Sequence, residues 1–127
     1  MSDLIHIKRE WRKTEFVWGS ADCIMSVCDY ILDQTGIDPA APWRGTYSDE
    51  AGAQAICDRY GGALGLFRSG MALAGLNTGA RAAGRPVIAD MMGKEIAGID
   101  TGKRVMMRMD GRGVVEWPAE VLEAWEI

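Results

Sequence analysis

The chain has almost no histidine, little cysteine and no long apolar run, and each scarcity removes a class of function. One histidine, His6, is too few for a zinc site of the His-rich or Cys-His kind, and paired Cys-x-x-Cys turns are missing too. Its three cysteines, Cys23, Cys28 and Cys57, are an odd number without framework spacing. Cys23 and Cys28, read onto one helix, are separated by about 7.5 Å of rise, beyond the ~7 Å reach of a disulfide. Three reduced thiols are expected. No stretch approaches the ~20 consecutive apolar residues of a membrane-spanning helix, and the opening Met1-Ser2-Asp3-Leu4-Ile5-His6-Ile7-Lys8-Arg9-Glu10 turns charged where a secretory signal would be apolar. Neither a metal nor a cofactor is expected. A cytoplasmic location is expected, with no membrane partner. A basic excess is also missing: 18 acids against 14 bases give a formal charge of -4, which disfavours nucleic acid as a partner.

What remains is ordinary for a globular domain. In 127 residues, 48% are apolar and 25% charged, enough for one core without metal or disulfide staples. One domain over residues 1–127 is expected. The first half reads as helices and the second as short strands, the segregation of an α+β domain.

Asp3 can cap a helix with Leu4, Ile7 and Trp11 on one stripe, leaving Lys8, Arg9, Arg12 and Lys13 on a solvated surface. The strongest helix is expected from about Ala21 to Gln34, with Ser20 as N-cap and Asp22 in the first turn. Ile24, Val27, Cys28, Ile31 and Leu32 form its buried stripe, Ser26, Asp29 and Asp33 its outer face, and Gly36 its stop. Ser48 predicts the cap of a third helix ending at Gly61-Gly62, and Ala63 to Ala74 a fourth, weakened by Gly65 and Gly70. Strands are predicted at Val87–Ala89, Glu95–Ile99, Arg104–Met109 and Val114–Trp117. Met92-Gly93 and Asp100-Thr101-Gly102 separate them, and Asp110-Gly111 predicts a two-residue hairpin with positive φ at both positions. Pro118 opens a short turn or helix, and Ala124–Ile127 returns as an edge strand. Val105, Met107 and Met109 share one strand face as core filling.

One segment carries candidate chemistry: Phe16-Val17-Trp18-Gly19-Ser20-Ala21-Asp22-Cys23. It places a thiol in the first turn of an amphipathic helix, where backbone N–H groups favour a thiolate and are expected to pull its pKa below ~8.5. Cys28 falls inside the buried stripe, and Cys57 has no such setting. The other candidates for lining a groove beside Cys23 are Phe16, Trp18, Asp22, Trp43 and Ile96.

An aromatic-x-Trp-Gly-x-x-Asp-Cys segment at a helix start, then helices, then a strand meander, resembles the NlpC-type branch of the papain-like cysteine peptidases. It is closer still to an uncharacterised family of small phage and prophage proteins related to that branch. The pieces are Trp18-Gly19, Asp22-Cys23, Gly36-Ile37-Asp38-Pro39, Trp43-Arg44-Gly45-Thr46-Tyr47, Ala97-Gly98-Ile99 and Ala124-Trp125-Glu126-Ile127, and they span most of the chain. The resemblance implies a papain-like (NlpC-type) α+β fold, with N-terminal helices packed on a C-terminal antiparallel β-sheet. It implies Cys23 at the nucleophile position, a cell-wall peptide or phage structural proteins as partners, and phage or prophage origin, with a virion-associated location such as a tail as the alternative to the cytoplasm of a bacterial host.

The same comparison shows what is missing. The base of those enzymes is a histidine just before a small-Gly-aliphatic segment, and here Ile96 precedes Ala97-Gly98-Ile99. Phe16 replaces a frequent tyrosine, Ile24-Met25 replace small residues after the nucleophile, and Gly84-Arg85-Pro86 replaces Gly-Asp at the first strand. Acyl transfer by cysteine without an imidazole within ~3 Å forfeits roughly 10²- to 10⁴-fold. Asp90, Asp100 and Asp110 serve poorly as a base at neutral pH. The preferred expectation is a non-catalytic protein, a pseudoenzyme on a hydrolase-derived fold. The alternatives are a thiol hydrolase using Cys23 with an atypical base such as His6, and a general interaction module without ancestral chemistry.

Overall fold

The computed structural model describes residues 4–127, so the proposed cap Asp3 lies outside the described residues. Four helices precede six strands: α1 (Leu4–Lys13), α2 (Cys23–Thr35), α3 (Glu50–Arg59), α4 (Ala63–Leu73), β1 (Thr78–Gly79), β2 (Pro86–Met91), β3 (Lys94–Asp100), β4 (Val105–Met109), β5 (Gly113–Trp117) and β6 (Glu120–Trp125). The architecture is α+β. All strand pairs are antiparallel, in the order β1-β6-β2-β3-β4-β5.

Strand order and chain order together force the sheet to curl. Four inter-strand spacings separate β6 from β5, which in a flat sheet is about 19 Å. Yet only Pro118 and Ala119 join Trp117 to Glu120, a span of at most ~11 Å. The sheet therefore rolls until its ends approach, and both of its faces become apolar cores. Ile88, Ala97, Ile99 and Met106 face the helices, joining Val27, Ile31, Phe67 and Met71. Val87, Ala89, Val105 and Met107 face the enclosed side, with Ile96, Met109 and Val115 packed against them. Gly98 lies where the curl is tight: a Cβ there would approach a Val105 methyl to 2.5 Å.

The helices cover the outer face. α2 packs over β3 and β4, α4 over β3 and β2, and α1 against β5, where Lys8 pairs with Glu116 at 2.8 Å. Ile7 and Trp11 are buried as the stripe on α1 requires. Gly36 ends α2 at φ 75°, its N–H donating to the Leu32 carbonyl. The glycines of α4 are packing devices, since a Cβ at Gly70 would lie 2.5 Å from the Pro39 carbonyl and 2.8 Å from the Trp43 ring.

Several sequence expectations need correction. The cap of α2 is Asp22, not Ser20, because the carboxylate and not the hydroxyl reaches the free N–H of Met25. Asp49 likewise replaces Ser48 on α3. Ser26, placed on the outer face of α2, is buried, and Leu32, placed in the stripe, is 39% exposed. Ser26 meets Arg108 of β4 while Leu32 is left partly uncovered, so one stripe does not describe the burial of α2. The β4–β5 turn has three residues, with Met109 opposite Gly113 and positive φ at Gly111 and Gly113 but not at Asp110. The last strand is not an edge: β6 inserts between β2 and the short β1, so Trp125 is buried against Phe67.

Candidate functional site at the start of helix α2

The loop before α2 is fixed by one buried carboxylate. Asp22 Oδ1 accepts the Met25 N–H at 2.9 Å; Oδ2 accepts the Gly19 N–H at 2.9 Å and the Tyr47 hydroxyl at 2.5 Å. Asp22 is 1% exposed, and three charge-assisted hydrogen bonds offset the cost of burying it. Tyr47 is held above its ordinary pKa, first by burial and then by its bond to Asp22, so it remains a phenol that donates. Gly19 has φ 90°, and a Cβ there would lie 2.0 Å from the Tyr47 carbonyl oxygen. The Gly45 N–H donates in turn to the Gly19 carbonyl. Trp18-Gly19-Ser20-Ala21-Asp22 and Arg44-Gly45-Thr46-Tyr47 are thus two halves of one lock.

The lock extends to the end of α2. Arg44 holds Asp38 through Nε at 2.7 Å and Nη2 at 3.1 Å, and reaches Asp29 at 2.7 Å through Nη1. The Asp38 carboxyl stays below its usual range because Arg44 and the Ala40 N–H outweigh its burial. The pieces Gly36-Ile37-Asp38-Pro39 and Trp43-Arg44-Gly45-Thr46-Tyr47 therefore clamp the helix at both ends.

Cys23 is the first residue of α2, half-buried beside β3. Its thiol is pushed up to about 12, chiefly by burial and then by the Asp22 carboxylate and Cys57. Hydrogen bonds from the backbone of Ala97 and Ile24 pull the other way and lose. The expected depression at a helix start is therefore present only as the weaker influence, and the outcome has the opposite sign. Cys57, half-buried on α3, is pushed up to about 11 by burial, with Asp22, Asp58 and Glu95 adding to it. Cys28 is buried in the core, as its stripe position implies, and all three cysteines are free thiols.

The position opposite Cys23 on β3 is Ala97, not Ile96. Strand alternation turns Ile96 to the enclosed side of the sheet, against Val87 and Met107, while Ala97 meets α2. Neither residue can accept a proton. Glu95, two residues before Ala97 and on its face, is occupied in capping α4, accepting the Leu64 N–H at 3.1 Å. His6 lies on α1 and lines a separate groove with Arg108, which Cys23 does not line. Asp100 is held bidentately by Arg81 at 3.0 and 3.1 Å, and Asp90 accepts the Gly93 N–H.

The aromatic candidates have partners of their own. Phe16 and Trp18 pack edge-to-face on each other at 4.8 Å, in the loop ahead of α2. Trp43 packs edge-to-face on Tyr60 and lines, with Cys28 and Gly70, a narrow crevice between α2 and α4. Sequence reasoning did not single out Tyr47, Cys57 or Ala97. Tyr47 and Ala97 are visible in the sequence only as parts of motifs, and Cys57 reaches Cys23 through tertiary packing alone.

Among the described residues, no group of three or more His, Cys, Asp or Glu side chains is placed to hold a metal ion, and no helix is long and apolar enough to cross a membrane. The chain belongs to the family described as "Domain of unknown function (DUF6950)", whose profile matches residues 2–127. No curated protein and no solved structure matches it.

Proposed function

We propose that this member of the DUF6950 family is a non-catalytic binding or structural protein on a degenerate NlpC-type, papain-like fold. The single observation that carries the proposal is the surroundings of Cys23. Its sulfur has the address of a nucleophile, at a helix start beside an antiparallel sheet, but its neighbours are Ala97, Asp22 and Cys57. A thiol pushed up to about 12 is held in its protonated, weakly nucleophilic form at neutral pH. Asp22 raises that value further, where a catalytic neighbour would be a cationic imidazole. The motif that carries the resemblance is used up in holding the fold together.

Phage or prophage origin, a tail-associated role, and a cell-wall peptide or phage structural protein as partner belong to the same proposal. They rest on the resemblance of the motifs. Mapping iodoacetamide adducts by mass spectrometry across pH 5 to 9 (about the window of a perturbed thiolate) tests the central point. The expected outcome is a Cys23 that stays unmodified throughout, together with no turnover of peptidoglycan fragments or acyl esters. An inflection well below 8 at Cys23 would show an activated thiol and count against the proposal, and turnover abolished by Cys23→Ala would establish a working thiol hydrolase instead.

A further inference from the structure

A second constellation lies on the other flank of α2. Arg108 on β4 is 4% exposed, and its guanidinium donates to the Ser26 hydroxyl at 3.3 Å and to the Thr14 carbonyl and hydroxyl at 2.7 and 2.8 Å. All three acceptors are neutral. Among the described residues no carboxylate comes within ion-pairing distance of it. Burial holds the Arg108 pKa below its ordinary value, while Asp29 acts only from further off and in the opposite sense. A buried cation without a counter-ion is costly, so proteins keep one where something else supplies the negative charge.

Arg108 also forms part of the wall of a groove of about 250 Å³ between α1 and α2. The volume suits a molecule of amino-acid size, below the usual range for drug-sized ligands. Trp11 offers the groove an apolar surface beside His6, and Glu10 and Asp33 stand exposed at its rim; Asp29 is occupied by Arg44, and Glu10 meets Lys13 only at 4.0 Å in an exposed pair. The groove is therefore positive inside and negative at its mouth. A phosphate dianion would meet the rim acids unfavourably. A monoanion with a cation attached would satisfy both.

We propose that this groove binds the carboxylate of a small zwitterion, with Arg108 taking the carboxylate and Glu10 and Asp33 the accompanying cationic group. Two sources share that chemistry, a free basic amino acid and the carboxyl terminus of a peptide ending in one. The proposal does not depend on the state of Cys23, so it stands or falls separately from the non-catalytic function.

The test is an NMR titration that follows the Trp11 indole and Thr14 amide resonances, with L-lysine, lysinamide, norleucine and Gly-Gly-Lys as probes. Saturable shifts with L-lysine or with Gly-Gly-Lys are expected, the better of the two identifying the source. Lysinamide, lacking the carboxylate, should bind at least about tenfold more weakly. Norleucine, lacking the side-chain ammonium, should also bind more weakly. Equal binding of lysine and lysinamide, or no saturable shift with any probe, would overturn the proposal. Arg108→Met should abolish binding. Should that variant not fold, the surface variant Glu10→Gln/Asp33→Asn decides: it should lose the preference for lysine over norleucine, and a retained preference would overturn the assignment of the rim.

Discussion

The two ends of this chemistry lie along one helix and handle buried charge in opposite ways. At the start of α2, Asp22 is buried with three donors aimed at it, and every one of them belongs to the local fold. On the flank of α2, Arg108 is buried with neutral acceptors and, among the described residues, no carboxylate within ion-pairing distance. A charge fully satisfied from within needs nothing further and serves stability. One left short of its opposite is where a ligand has something to add. The contrast reverses the emphasis of the sequence, whose motif surrounds Asp22 and Cys23 and does not include Arg108.

The largest effect is expected at Gly19. Its φ of 90° is unfavourable for any L side chain, and a Cβ would lie 2.0 Å from a backbone oxygen that cannot step aside alone. Gly19→Ala should cost about 3–4 kcal/mol, the strain of the backbone plus the displacement of Tyr47. Urea unfolding measures it. A loss under ~1 kcal/mol would mean that the two halves of the lock are not mutually dependent.

Asp22→Ala should come next, at about 2–3 kcal/mol, combining a lost helix cap with donors left unsatisfied. Tyr47→Phe removes one of the three bonds and should cost about 1–2 kcal/mol. The two substitutions share a bond, so their effects should fall short of additivity by about 1 kcal/mol in a double-mutant cycle. Strict additivity would separate Asp22 from Tyr47 and weaken the structural account of the motif.

Element type was largely legible in the sequence because local pattern decides it: the apolar stripe of α1, the αL stop at Gly36 and the alternation of β4 all emerge from spacing. Legibility failed where an answer depends on a second element. Ser26 reads as solvent-facing until Arg108 arrives beneath it from β4. The final strand reads as an edge until β1 pairs with its far side. Cys23 reads as an activated thiol because the helix start is a local feature, whereas the burial that does most to reverse the sign comes from tertiary packing; Asp22, the second cause, is its neighbour in the chain, and Cys57 adds to it from α3. Ile96 was selected by motif position, and only the register shows that its side chain takes the far face.

Alkaline pH offers a test of the Cys23 environment through stability. The folded-state values, about 12 for Cys23 and about 11 for Cys57, lie above the ~8.5 of an unfolded thiol. Above that unfolded value the folded chain holds more protons than the unfolded one, so stability falls as pH rises. Their contribution should be fully present below about pH 8.5 and lost through pH 11 to 12. Tyr47, also raised, steepens the decline at its upper end. Cys23→Ser/Cys57→Ser should flatten the early part of the curve, from about pH 9 to 10, in urea denaturation followed by circular dichroism. An unchanged slope would show that these thiols are not held protonated by the fold.

The smallest effect is expected at Arg108, and its smallness is what makes it informative. Arg108→Met removes a buried cation whose desolvation is opposed only by Asp29, acting from beyond ion-pairing distance. It leaves the Ser26 hydroxyl short of a partner, whereas the exposed Thr14 can turn to water and its own hydroxyl already donates to the Glu10 carbonyl. Gains and losses should cancel to within about 1 kcal/mol of the parent stability. A loss of 3 kcal/mol or more, of the order expected when a buried ion pair is broken, would place Arg108 in the same class as Asp22. The charge would then belong to the architecture, and the contrast between the two flanks of α2 would disappear.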